Sequence, residues 1–312
     1  MIVAMILLAA LALLLIASGV CFWLTFYVPK RSAELTEADY LIPGKVYEPY
    51  HPRMRQWVEQ VEAMSYEAME INSDDGLTLR GRYYELTPDS PIEILFHGYR
   101  GRAERDLCGA VDRCFRVGHS ALLVDQRAGG RSDGHVITFG AKEHKDALKW
   151  IEAVTARFGA QRPLVLAGVS MGAATVLLTA GEDLPDNVVG VLADCGYSSA
   201  RDIIKKVIRQ LKLPATLLYP LVRLGAILYG GFDPNKVEVT EALKHAKVPI
   251  VFFHGASDDF VPCEMSQKNY DACASQKRLV MIPDAGHCLC FPIDEDAYVE
   301  MVRDFDRTYW RK

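Results

Sequence analysis

The hydrophobic positions change character twice along the chain. Residues 1–29 carry no charged side chain, and residues 2–28 are almost continuously apolar, long enough to cross a hydrocarbon core that needs about 20 such residues. Phe22, Trp23, Phe26 and Tyr27 crowd the far end and Lys30 and Arg31 follow, the order expected at a membrane–water interface. Residues 30–65 are polar and broken by Pro43, Pro49 and Pro52 before a helix predicted around residues 53–64, and read as a spacer packed on the folded domain. Residues 67–72 and 77–86 predict two antiparallel strands joined by the turn Ser73-Asp74-Asp75-Gly76. From Ile92 onward, short apolar runs alternate with helix-length segments, the pattern of a parallel sheet covered on both faces. The runs place strands at 92–96, 121–125, 164–168, 188–193, 250–254 and 279–282, and helices at 103–117, 140–158, 170–180, 261–274 and 294–311.

Between the strand ending near Ala193 and the one starting near Pro249 lie about fifty residues, more than a single crossover helix needs. Residues 199–213 are amphipathic, with Lys205, Lys206, Arg209 and Lys212 on one side, and residues 217–229 are almost wholly apolar. A helical cap at about 197–240 fits this insertion; extra packing on the sheet flank is the alternative. The division expected is therefore a transmembrane segment at 1–29, a juxtamembrane spacer at 30–65 and one α/β domain at 66–312 carrying the cap.

Composition narrows the class. With 24% charged and 50% hydrophobic residues and a net charge of -5, the domain is globular with no electrostatic preference for nucleic acid. It has neither a basic stripe nor zinc-ligand spacing. A cleaved signal peptide competes with the transmembrane reading, since Ala17-Ser18-Gly19 resembles a small-residue cleavage site. The run continues past that site and has no Lys or Arg before it, which favours an uncleaved helix. Lys30, Arg31 and Lys45 on the carboxyl side favour a cytoplasmic domain, as do the seven cysteines beyond residue 29, an odd number without disulfide-scaffold spacing. An extracytoplasmic domain stays open, and oligomeric state is not legible.

The chemistry centres on Gly168-Val169-Ser170-Met171-Gly172. It lies between a buried-strand pattern and a helix-prone one, so the serine is expected on a tight strand-to-helix turn with its hydroxyl at the tip of the sheet. A serine hydroxyl is a weak nucleophile until a base takes its proton, so a histidine and an orienting carboxylate should follow. His287, on the loop Pro283-Asp284-Ala285-Gly286-His287, is the candidate base. Asp258, in Gly255-Ala256-Ser257-Asp258-Asp259-Phe260-Val261-Pro262, is the candidate orienting acid; Asp259 is expected to cap the next helix or face solvent, and Asp194 is the fallback acid. Two backbone N–H groups should hold an oxyanion: that of Met171, and that of Tyr99 in the loop His97-Gly98-Tyr99-Arg100-Gly101.

These segments together, with Asp125-Gln126-Arg127-Ala128-Gly129-Gly130-Arg131-Ser132, resemble the α/β-hydrolase superfamily across about residues 66–310, and most of all its membrane-anchored, esterase-like bacterial members. Ala128 stands where that family's loop usually has glycine. The resemblance implies an α/β-hydrolase fold with an eight-stranded, mostly parallel sheet, and acyl transfer to water through Ser170, Asp258 and His287, chemistry that requires neither a metal nor an organic cofactor. The expected partners are a small ester or acyl substrate and the membrane. Thioesterase, amidase or peptidase chemistry on the same fold, and a non-catalytic binding protein, are the alternatives. Arg100, Arg102, Arg127 and Arg131 follow strand ends, where they either hold an anionic substrate group or anchor loops.

Overall fold

The charge-free run forms one helix, α1 (Ile2–Thr25), long and apolar enough to cross a membrane. The computed structural model describes residues 1–29 and 41–311; Lys30, Arg31 and the rest of residues 30–40 lie outside the described residues. The spacer's helix is α2 (His51–Ala63), which buries Trp57 against Phe291 with ring centroids 5.3 Å apart.

The domain then runs β1 (Glu67–Asn72), β2 (Thr78–Tyr84), β3 (Ile92–Phe96), α3 (Ala103–Asp106), α4 (Ala110–Val117), β4 (Ser120–Val124), α5 (Glu143–Phe158), β5 (Leu164–Val169), α6 (Met171–Thr179) and β6 (Val188–Asp194). It continues with α7 (Ala200–Gln210), α8 (Ala215–Gly225) closed by a π-turn (Ala226–Gly230), α9 (Val239–Leu243), β7 (Ile250–Gly255), α10 (Cys263–Ala272), β8 (Lys277–Ile282), α11 (Cys290–Ile293) and α12 (Glu295–Tyr309). The eight strands form one sheet in the order β1-β2-β4-β3-β5-β6-β7-β8, with β2 antiparallel to both of its neighbours, β1 and β4, and every other pair parallel. Strands β3, β4 and β7 are buried throughout, which is why they read as mostly apolar runs, interrupted by Glu93, Ser120 and His254, whereas edge strand β1 is mostly exposed. The chain leaves β3 for β4 on one side and later returns to β5 on the other. That reversal opens a crevice at the carboxyl ends of β3 and β5.

Two helices differ from the sequence reading for local reasons. The helix expected over 103–117 is broken after Asp106, because the chain at Gly109 passes so close to Phe291 that a Cβ there would lie 2.7 Å from its ring. Helix α5 starts at Glu143 and not at residue 140: Phe139 and Gly140 are left-handed, and the Glu143 carboxylate accepts the N–H groups of Thr138 and Gly140.

Packing does not divide at residue 29. Residues 2–16 of α1 are exposed, but Ser18, Phe26 and Val28 are buried. Phe26 lies edge-on to Phe139 and Phe232, and the chain after the helix pairs with residues 135–137, Val28 N–H donating to the His135 carbonyl at 2.8 Å and Ile137 N–H to that of Phe26 at 2.9 Å.

Candidate active site

Ser170 joins β5 to α6 at φ 54° and ψ -115°, a backbone conformation forced by the sharp turn. The flanking glycines are steric necessities. A Cβ on Gly168 would lie 2.3 Å from the Gly172 backbone, and one on Gly172 would lie 2.0 Å from the Phe96 carbonyl oxygen. The turn therefore seats against the end of β3, next to the loop that carries Tyr99.

The structure brings Ser170, His287 and Asp258 together from three separate strand ends. His287 Nε2 is 2.9 Å from Ser170 Oγ, and His287 Nδ1 is 2.7 Å from Asp258 Oδ2. Asp258 is fixed on its other oxygen, where Oδ1 accepts the N–H groups of Phe260 at 2.9 Å and Val261 at 2.8 Å. His254 adds a contact that the sequence did not single out: Nε2 donates to the Val261 carbonyl at 2.8 Å and lies 3.3 Å from Asp258 Oδ2, while Nδ1 meets Ser266 Oγ at 2.6 Å. Burial by itself raises the Asp258 carboxyl, but His254, His287 and the Val261 amide outweigh it and hold the group below the ordinary carboxylate value.

For His287, burial disfavours the charge, while Cys195 and Asp258 favour it, and the net direction is upward. Cys195 contributes only as a thiolate, yet burial pushes its own thiol well above the ordinary value, so near neutral pH the Asp258 carboxylate is the group that matters. Cys195 and Cys288 place their Sγ atoms 3.4 Å apart beside this histidine. With His287 they form the one compact group among the described residues that could ligate a metal. Both ring nitrogens of His287 already face Asp258 and Ser170, so a metal there would break the hydrogen-bonded chain.

Asp194 does not reach His287 through its side chain; its carbonyl accepts the Ser170 N–H at 2.8 Å, and its Oδ2 lies 3.4 Å from Tyr298 Oη. Asp259 is exposed, and its carbonyl accepts from Lys206 and Gln210 of α7. Met171 opens α6, so its N–H has no partner within the helix. The Tyr99 loop passes close by, Gly98 standing where an added Cβ would be 3.6 Å from Ser170 Cβ. His97 braces that loop: Nε2 accepts the Gln126 N–H at 3.0 Å, so Nδ1 carries the proton it gives to the Gly98 carbonyl at 2.8 Å.

Arg100, Arg127 and Arg131 anchor loops, and Arg102 is buried. Arg127 holds Asp146 and Asp75, Arg131 pairs with Glu104, and Arg100 donates to the carbonyls of Leu24 and Tyr27. A cleft of about 610 Å³ between Arg80, Arg100 and Arg131 is larger than the cavity at Ser170, but the serine on its wall, Ser132, gives its hydroxyl proton to the Asp125 carbonyl.

Ser170 sits instead at the edge of an apolar cavity of about 260 Å³, walled by Tyr99, Phe139, Tyr197, Phe260 and the inner faces of α7 and α8. Its wall also includes Cys21, Leu24 and Thr25 of α1, which the sequence reading had separated from the site.

The chain is similar to several known proteins. The family model described as Serine hydrolase (FSH1) matches residues 202–296, which include Asp258 and His287. Protein YqkD of Bacillus subtilis is 25% identical over 249 residues, covering 79% of this chain and 81% of that protein. Protein bem46 of Schizosaccharomyces pombe is 24% identical over 256 residues, covering 78% and 77%. Among solved structures, the Pyrococcus furiosus esterase Pf2001 superposes with a TM-score of 0.66 at 20% identity, covering 91% of this chain and 98% of that one.

Proposed function

Starting from a serine hydrolase of the α/β-hydrolase superfamily, we propose that this chain hydrolyses carboxylic esters with apolar acyl groups, using Ser170, His287 and Asp258. The observation that carries the reading is the unbroken hydrogen-bond path from Asp258 through His287 to Ser170, at the edge of an apolar cavity. His287 Nε2 takes the hydroxyl proton as Ser170 Oγ bonds to the ester carbonyl carbon. The N–H groups of Met171 and Tyr99 hold the resulting oxyanion, an arrangement in which each donor contributes about 10² to 10³ in rate. The C–O bond to the alcohol then breaks, and His287 returns the proton to the departing oxygen. A water molecule, deprotonated by His287, attacks the acyl-serine and releases the carboxylic acid and the free hydroxyl. The insertion that carries α7 and α8 serves as the cap over the acyl chain.

The test is labelling with a fluorophosphonate, which bonds only to an activated serine. Wild type should label and Ser170→Ala should not; a folded wild type that stays unlabelled would sink the reading. Ester hydrolysis should also rise with pH through a midpoint above 6.5, the ordinary histidine value, because protonated His287 cannot accept the serine proton. Cys195→Ala should leave that midpoint in place, since the thiol is neutral there. A wild-type midpoint at or below 6.5 contradicts the upward direction, and a drop in Cys195→Ala contradicts the neutral thiol.

We also read α1 as an uncleaved membrane anchor with the catalytic domain in the cytoplasm. Burial of Ser18 and the packing of residues 26–28 into the domain support retention of the helix. Intact mass after membrane extraction tests it: loss of the first 17 to 19 residues contradicts the anchor.

A further inference from the structure

The acyl cavity has a wall supplied by the membrane helix. Cys21, Leu24 and Thr25 of α1 line it directly, and the same helix end holds the loop that carries Tyr99. The Tyr99 hydroxyl donates to the Thr25 carbonyl at 2.6 Å, and Arg100 Nη2 donates to the carbonyls of Leu24 at 2.9 Å and Tyr27 at 3.0 Å. Carbonyls in the last turn of a helix have no partner within it, so this loop completes the end of α1 while α1 fixes the loop.

The cap leans on the same helix. At Gly225 a Cβ would lie 2.4 Å from the Ser18 carbonyl oxygen, and Tyr229 donates to the Leu15 carbonyl at 3.0 Å while its ring packs on Phe22 at 5.7 Å. Length then decides where this contact sits. At 1.5 Å per residue the 24 residues of α1 span about 36 Å, but the uncovered stretch 2–16 spans only about 23 Å. A hydrocarbon core is about 30 Å thick, so a spanning α1 draws the α8 side of the cap roughly 7 Å into the bilayer.

The surface around the cavity is suited to a lipid boundary. Leu24, Leu211 and Leu213 line the cavity yet are 59%, 65% and 46% exposed, which makes them its rim, and Leu217, Ile227 and Leu228 are exposed on the same cap segment. An apolar cavity of about 150 Å³ takes a benzene ring; scaled to about 260 Å³, this one holds an acyl chain of about ten carbons.

We propose that α1 is a specificity wall of the active site, and that the enzyme draws single-chain acyl esters from the bilayer, the chain lying against Cys21 and Leu24 with its carbonyl at Ser170. The proposal rests on the esterase reading of Ser170.

Its test uses the full-length protein in phosphatidylcholine nanodiscs with nitrophenyl esters of two to sixteen carbons. Wild-type kcat/KM should peak near ten carbons, and Cys21→Trp, which fills the cavity, should lower the decanoate-to-acetate ratio at least tenfold. Cys21→Ala, a mild change that spares the fold, should move the optimum to longer chains. With ester held constant, doubling the lipid should roughly halve the decanoate rate, because surface concentration governs delivery. A chain-length profile that neither variant moves overturns the wall, and a rate indifferent to lipid dilution overturns delivery from the bilayer. Absence of Ser170-dependent fluorophosphonate labelling overturns the esterase reading itself, which separates the two failures.

Discussion

Replacing Asp258 by Asn should lower kcat for ester hydrolysis by about 10⁴ while leaving the protein folded. The reason lies in the four donors that converge on this carboxylate. Oδ1 is locked by the N–H groups of Phe260 and Val261, and Oδ2 faces His287 Nδ1 and His254 Nε2. An asparagine must keep its oxygen on the backbone side, because an NH₂ group cannot accept two N–H bonds. Its NH₂ then points at His287 Nδ1, which is neutral only if it gives up its proton and accepts. The proton moves to Nε2, and the nitrogen facing Ser170 can no longer act as base. His254, left with a donor opposite its own N–H, adds a smaller cost in stability. Steady-state kinetics beside a thermal scan check this; a loss of less than tenfold in a protein of normal melting temperature would mean that Asp258 does not orient the histidine.

The second large effect should be on stability and at the opposite end of the sheet. Glu93 is fully buried in β3 and holds two partners, Arg113 at 2.5 Å and His119 at 2.7 Å, while His119 reaches Asp306 of α12 at 2.9 Å. Glu93→Gln leaves the buried Arg113 charge without its counter-ion. Breaking a buried pair in this way costs about 3 to 5 kcal/mol, which for a domain of this size lowers Tm by roughly 10 °C. The pH dependence has a definite sign. Burial raises the Glu93 carboxyl, but Arg113 and His119 overcome it and lower the group to about 2, so its contribution is complete above its ordinary value of 4.5 and is lost as pH falls toward 2. Burial lowers His119, but Asp306 and Glu93 outweigh it and raise the group, so its contribution is complete below 6.5 and is lost as pH rises through the higher folded value. The cluster is therefore at full strength between about 4.5 and 6.5. Denaturant titrations of wild type and Glu93→Gln across this range should differ most inside it; a constant difference from pH 3 to 9 would contradict the assignment.

The sequence by itself determined the parts of this protein that depend on local pattern. Mostly apolar runs marked the buried strands because a parallel strand covered on both faces has no polar side. Gly168 and Gly172 marked the serine turn because no Cβ fits there. The order of Ser170, Asp258 and His287, each just beyond a strand, placed them along one sheet edge, since every parallel strand ends on the same side. Sequence pattern could not show the partners that meet only after folding. His254 lies within a buried strand, and only the return of the 258–261 loop makes it a ligand of Asp258. Glu93, His119 and Asp306 lie far apart in the chain and are drawn together by β3, β4 and α12. The break before Gly109 required Phe291, nearly two hundred residues later. Above all, an apolar helix of uniform hydrophobicity reads the same whether it stands apart or walls a cavity. Which face of α1 meets the cap, and that Cys21, Leu24 and Thr25 border Ser170, was decided by tertiary packing, because helix-to-helix contact depends on shapes brought together from distant parts of the chain.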